Sequence, residues 1–375
     1  MNAATPAAQA SQKSATRRLW FDLHSWLGLK LSIFMSFVLL TGTLAVLAHE
    51  IDWLLNPPMR VQPDPARRAS WGEMVDAVRR AHPYWTVETL QAPQASRFAA
   101  QATVRTERGR PRFVWVDPYR GVVTGDTGWF NAHRLLRNTH RHLMMPTAIG
   151  VPIVAALSVP LLLSGLSSLY IYKRWWRGFA AWPRRERPRR FWGDLHRLLG
   201  VWSLAFVLLI GATGLWYLVE SLGGDARVVK PPAAKHAQAL AADGATVDRA
   251  VAEAKKRWPQ FEVEGVAPGG KDGTLLLTGQ ADAVLVRPRA NAMAFDAADG
   301  RWLGARDGQD LNLHQRISEM ADPLHFGDFG GFWLKLVWFG FGAMLSALSL
   351  SGVYLYGLRI ADGWRSAQRK RERGA

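Results

Sequence analysis

Four stretches of this chain run for close to a membrane thickness without an acidic or basic residue: Leu31 to Ala48, Pro146 to Tyr172, Leu198 to Val219 and Leu336 to Leu358. A helix needs roughly 20 such residues to cross ~30 Å of hydrocarbon. The sequence therefore predicts a membrane α-helical bundle of four transmembrane helices. Pro152 and Pro160 predict a kink in the second, where neighbouring helices can satisfy the freed carbonyls.

The formal charge of +17 would by itself suit nucleic acid or a membrane surface, but its placement favours the membrane. Between Lys173 and Arg197 there are nine basic residues and two acids, and after Leu358 there are six and two. The segments Glu50 to Ala132 (eleven basic, nine acidic) and Ser221 to Gly330 (thirteen and fifteen) are nearly balanced. By the positive-inside rule the basic loop and both termini are cytoplasmic and the balanced segments face outward. No nucleic-acid partner is expected. His49-Glu50-Ile51-Asp52 follows the first span where a cleavage site would stand, so a cleaved signal peptide is not expected either.

The chain also repeats itself. Trp20-Phe21-Asp22-Leu23-His24 aligns with Trp192-Gly193-Asp194-Leu195-His196, and the same offset carries Thr41-Gly42 onto Thr213-Gly214. Leu163-Ser164-Gly165-Leu166 matches Leu350-Ser351-Gly352-Val353. Each outward segment opens with a helical pattern (71–81 and 246–258), continues as alternating strands, and holds a glycine turn ending at Gly121 or Gly300. The expected organisation is an N-terminal tail 1–18, spans within 19–49, 133–172, 196–220 and 331–358, outward α+β domains at 50–132 and 221–330, a basic loop 173–195 and a basic tail 359–375. This is an internal duplication with parallel repeats.

With no cysteine among 375 residues, iron–sulfur clusters, thiolate zinc and covalently attached haem are excluded. Ten histidines remain, and several stand at span ends. His24 and His196 occupy matching positions at the cytoplasmic starts of spans one and three. His49, His140, His142 and His325 lie near the outer ends. If span one is a continuous helix, the 25 residues from His24 to His49 return both rings to one face. Imidazoles on neighbouring helices suit the two axial positions of haem iron, and Gly42, Gly165, Gly214 and Gly352 would give a ring edge room. The plainer readings are interfacial histidines and helix-packing glycines. His133 and His314 read as structural, His82 and His236 as surface residues, and Glu50 and Asp52 as caps of span one. No nucleotide-binding or metalloprotease motif occurs.

Asp22-Leu23-His24-Ser25-Trp26-Leu27-Gly28, Thr41-Gly42-Thr43, His49-Glu50-Ile51-Asp52, Arg137-Asn138-Thr139-His140-Arg141-His142-Leu143 and Leu324-His325-Phe326-Gly327-Asp328-Phe329-Gly330-Gly331 together resemble the PepSY-associated transmembrane proteins, in particular bacterial inner-membrane ferric-siderophore reductases. The resemblance implies two small periplasmic PepSY-like domains and two b-type haems. It also implies an oxidoreductase that passes electrons from a cytoplasmic or membrane donor to a ferric siderophore, releasing Fe(II). The matched histidines are His24, His49, His140, His196 and His325, with His142 an extra candidate beside His140. Position 133 is usually Gln in that group, which counts against His133 as a ligand. The alternatives are a non-enzymatic PepSY module that binds or regulates a periplasmic partner, and an iron-uptake accessory.

Overall fold

The computed structural model describes residues 16, 18–22, 24–25, 32–226, 230–270 and 272–374. In chain order its first half contains α1 (Ser32–Val46), α2 (Ala48–Leu55), α3 (Trp71–Ala81), β1 (Thr86–Gln91), β2 (Ala100–Arg105), β3 (Pro111–Asp117), β4 (Val122–Gly128), α4 (Ala132–His142), α5 (Thr147–Ala155) and α6 (Ser158–Ile171). The second half contains α7 (Pro188–Val219), α8 (Gly244–Arg257), β5 (Glu262–Ala267), β6 (Thr274–Gln280), β7 (Asn291–Asp296), β8 (Trp302–Arg306), α9 (Leu313–Phe326) and α10 (Gly331–Gly374). The chain divides into two compact units. One takes in the chain up to Leu47, Leu136–Gly224 and the chain from Phe332; the other is Ala48–Leu135 with Asp225–Gly331.

The first unit is helical. Thr147–Ile171, Pro188–Gly224 and Gly331–Arg373 are each long and apolar enough to cross a membrane. The expected kink is present as a break between α5 and α6 at Ala156–Leu157, between Pro152 and Pro160. α7 starts with Pro188 at its first turn, where a missing N–H costs nothing. α10 runs on to Gly374, so the basic segment expected as a tail continues the helix: it is rich in Arg, Lys, Ala, Glu and Gln, which are good helix formers.

These helices are inside-out relative to a soluble bundle. α1 buries Ser32, Ser36, Thr41 and Thr43 while Ile33, Phe37 and Leu40 are exposed, Ile33 by 79%. Ser36 Oγ lies 2.8 Å from Ser349 Oγ, and Thr43 Oγ1 lies 3.3 Å from Ser346 Oγ. Small and hydroxyl-bearing residues facing inward, with large apolar ones outward, is what packing in lipid produces.

The expected first span differs from what is seen. Part of it, residues 26–31, lies outside the described residues. Its other end is not one continuous helix, because α1 stops at Val46 and α2 leaves at 61°. A tight Leu47 N to Leu44 O turn (3.2 Å) marks the break. His49 sits beyond it, so the argument that His24 and His49 share one helix face does not hold.

The second unit is built on a sheet of eight strands among the described residues, in the order β8-β7-β6-β5-β1-β2-β3-β4, antiparallel at every pairing. α3 is opened by a Ser70/Glu73 capping box and buries Met74, Val75 and Val78 with Leu90, Ala102 and Val114. α8 is capped by Asp243 and buries Val247, Ala250 and Ala254 with Leu275, Leu277 and Phe295. Trp71 packs against both clusters.

Both halves turn alike between their last two strands. Asp117 Oδ1 accepts from Tyr119 N (2.8 Å), and Asp296 Oδ1 accepts from Ala298 N (2.9 Å). Each turn closes on a glycine at positive φ, Gly121 (66°) and Gly300 (77°).

The two outward segments share one sheet: β1 and β5 pair edge to edge (Leu90 with Val266, Gln91 with Gly265). The physical reason is that each half alone would leave a strand edge with unpaired N–H and C=O groups. A reciprocal clasp between α3 and α8 reinforces the join. Gly72 N donates to Asp248 Oδ1 (2.8 Å), Ser70 Oγ to Asp248 Oδ2 (2.6 Å), and Gly244 N to Asp76 Oδ1 (3.1 Å).

Candidate functional site: imidazoles among the apolar helices

His24 and His196, placed together by the repeat argument, both lie in the first unit, with His24 within electrostatic range of His196. His24 Nδ1 lies 3.1 Å from Ser167 Oγ on α6, and His196 Nδ1 lies 2.9 Å from Ser351 Oγ on α10. Both rings are half-buried. Gly352 lies beside His196, where a Cβ would come 3.5 Å from Cε1.

The neighbourhood of the second ring is anchored electrostatically. Asp194, two residues before His196, is buried and holds Arg184 (Nε 2.8 Å) and Arg197. Its counterpart Asp22 is exposed.

His140 packs against α1 through its Nδ1–Cε1 edge. Its Nδ1 donates to Val38 O at 2.9 Å, since a carbonyl oxygen can only accept. The ring fills the space over Gly42, where a Cβ would stand 2.6 Å from His140 Cε1. The glycine expected to make room for a cofactor edge here makes room for an imidazole. Gly165 and Gly214 likewise receive protein side chains, Val207 with Leu208 and Ser158. His142 Nδ1 donates to Met145 O (2.6 Å) and closes the turn in which Leu143 and Met144 take positive φ.

In the second unit His49 stacks on His133 with centroids 4.0 Å apart, and His325 meets Phe326 edge-on at 5.7 Å. His325 is in the last turn of α9, which ends on left-handed Gly327 (φ 70°). Asp52 is 1% exposed and accepts from Ala132 N (2.8 Å) and His133 N (3.0 Å). It therefore caps α4 rather than the end of span one, and fixes the residue that His49 stacks upon. His314 is exposed.

Haem needs only two axial donors. Among the described residues no group of three or more His, Asp or Glu side chains gathers as a metal site. His24 and His196 fit the demand: two neutral-type donors, each oriented through Nδ1, close together among apolar helices. His140 also has the ligand-type orientation. His49 and His325 belong to the second unit and His140 to the first.

Residues 21–359 match the family described as the PepSY-associated TM region. The chain belongs to that family. A Pseudomonas aeruginosa member of the curated proteins, "Uncharacterized protein PA4219", is 28% identical over 260 residues, covering 61% of this chain and 64% of that relative. The chain thus spans less than two thirds of that relative's length. Membership accounts for a membrane protein whose apolar helices accompany a sheet domain.

The sequence reading missed the serines beneath the two imidazoles and the stacking of His133 on His49. Ser351 lay in the repeated Leu-Ser-Gly motif, and its signal was a hydroxyl in an apolar run with no solvent to face.

Proposed function

We propose that this PepSY-associated protein is an inner-membrane diheme b-type reductase that passes electrons outward to ferric iron held in a chelate, a siderophore by family resemblance, and releases Fe(II). The observation that carries the reading is the His24 and His196 pair, set on different apolar helices and each tethered through Nδ1. Bound there, b-type haem supplies one-electron transfer without proton or hydride chemistry. The chain's own residues hold the ligand rings, exclude water with α1, α6, α7 and α10, and keep the pair near the basic cytoplasmic loop. A second haem is what the family resemblance implies.

Further support comes from the offset of 172 residues that relates His24 to His196, because it also relates Gly72 to Gly244 and Asp76 to Asp248, the partners of the reciprocal clasp. A duplicated chain with four spans places equivalent ligands about a common axis. By the positive-inside rule, the excess of Arg and Lys between α6 and α7 supports cytoplasmic termini and a periplasmic sheet.

The test is the absorption spectrum of detergent-purified protein before and after dithionite, with a pyridine haemochrome count. Two b haems per chain are expected, and His24→Ala or His196→Ala should each remove one while the protein still inserts. A wild-type protein that takes up no haem when expressed with haem precursor would refute the reading.

A further inference from the structure

The hydroxyls under His24 and His196 are committed groups. Ser167 is 0% exposed and Ser351 2%. Ser167 Oγ donates its proton to Ser164 O (3.0 Å), and Ser351 Oγ donates to Leu348 O (2.9 Å), each three residues back on its own helix. A serine has one proton to give, so toward the imidazole each oxygen can only accept. With the serine proton given to that carbonyl, the ring proton belongs at Nδ1 and the lone pair at Nε2, the atom a ligand presents to iron.

We propose that Ser167 and Ser351 are positioning residues: they fix the tautomer and direction of His24 and His196 and raise the donor strength of both rings toward haem iron. This rests on the haem reading above. The two hydroxyls are not repeat equivalents. Ser351 aligns with Ser164, whereas Ser167 aligns with Tyr354, one helical turn further along. The same contact is made from two different positions, so the two variants test it separately.

A ring whose N–H is given to an acceptor is the stronger donor and favours ferric iron. Ser167→Ala and Ser351→Ala should each raise the midpoint potential of one and the same haem and shift its low-spin EPR signal. Ser→Thr at either position keeps the hydroxyl and its bond three residues back, and should restore the wild-type values. Ser36→Ala removes a buried span hydroxyl that bonds Ser349 instead, and should change neither.

A second measurement needs no haem: nitrogen NMR of histidine-labelled, unloaded protein should show His24 and His196 protonated at Nδ1, and a mixture of tautomers in the Ala variants. Unchanged potential and EPR in both Ala variants with haem retained would overturn the proposal, as would Nε2-protonated rings in the wild type. If the protein takes up no haem, the reductase reading falls, and the tautomer measurement decides the role of the serines by itself. If the Ala variants fail to accumulate, the wild-type tautomers and the Thr variants decide it.

Discussion

Gly244→Ala should loosen the sheet domain although it adds a single methyl group. Built on the Gly244 backbone, a Cβ would stand 2.2 Å from Asp76 Oδ2 and 2.6 Å from Gly72 O, against an ordinary contact of 3.4 Å or more. One of the three must retreat by about 1 Å in an interior packed to crystal density. The retreat strains the packing by about 1–3 kcal/mol. It also weakens the Gly244 N to Asp76 bond (3.1 Å) and the Gly72 N to Asp248 bond (2.8 Å), and hydrogen bonds to charged groups contribute about 1.5–3 kcal/mol each. Alanine's better helix propensity returns ~0.5–1 kcal/mol. A net loss of about 2–5 kcal/mol lowers the melting temperature of a domain this size by on the order of 10 °C. Thermal unfolding of the detergent-solubilised chain, followed by tryptophan fluorescence, reads this directly because Trp71 packs against both cores. Gly270→Ala, where a Cβ meets nothing within 4 Å, is the control in the same unit. A Gly244→Ala midpoint within about 2 °C of wild type would show that the clasp does not hold the two halves, and the reasoning from close approach would be wrong.

Gly42→Ala should push His140 off its seat, because the ring cannot keep both its Val38 bond and a Cβ at 2.6 Å; the expected result is loss of one of two haems, and two haems with an unchanged spectrum would refute a ligand role for His140. Burial first, and the nearby Asp328 charge second, push the Glu264 carboxyl above its ordinary range. Its native form holds the proton more tightly than the unfolded chain does, so stability is lost as pH rises from the ordinary Glu value through the raised native one. Glu264→Gln should therefore melt higher than wild type at pH 7 and level with it near pH 4, and equal melting at both would refute the assignment.

The three long apolar helices were legible because a missing charge over some twenty residues has few explanations besides lipid. The helix over 71–81 and the glycine turns at 121 and 300 could be read because capping and turn chemistry are local. What could not be read depends on partners distant in sequence. The break at Leu47 has no proline or glycine to announce it. The joining of β1 to β5 is a decision between two edges that look alike from their own residues. Asp52 was readable as a cap, but which helix it caps is set by the return of Ala132 and His133 across eighty residues. The motif shared around His24 and His196 made those two rings visible together, while Ser167 and Ser351 escaped because they stand at different places relative to the shared Leu-Ser-Gly run.

The β1–β5 pairing also sets an order of events during synthesis. Roughly 170 residues separate Gln91 from its partner strand, and at ~5–20 residues per second the first four strands must wait about 10–30 s with an open edge. That edge is the sort that invites pairing with a stranger. Until α7 has been threaded and the second half has arrived, the nascent chain carries an unfinished sheet. A ribosome stalled in that interval, or a nonsense codon between Gln91 and Glu262, would leave an aggregation-prone half-protein rather than a smaller working one.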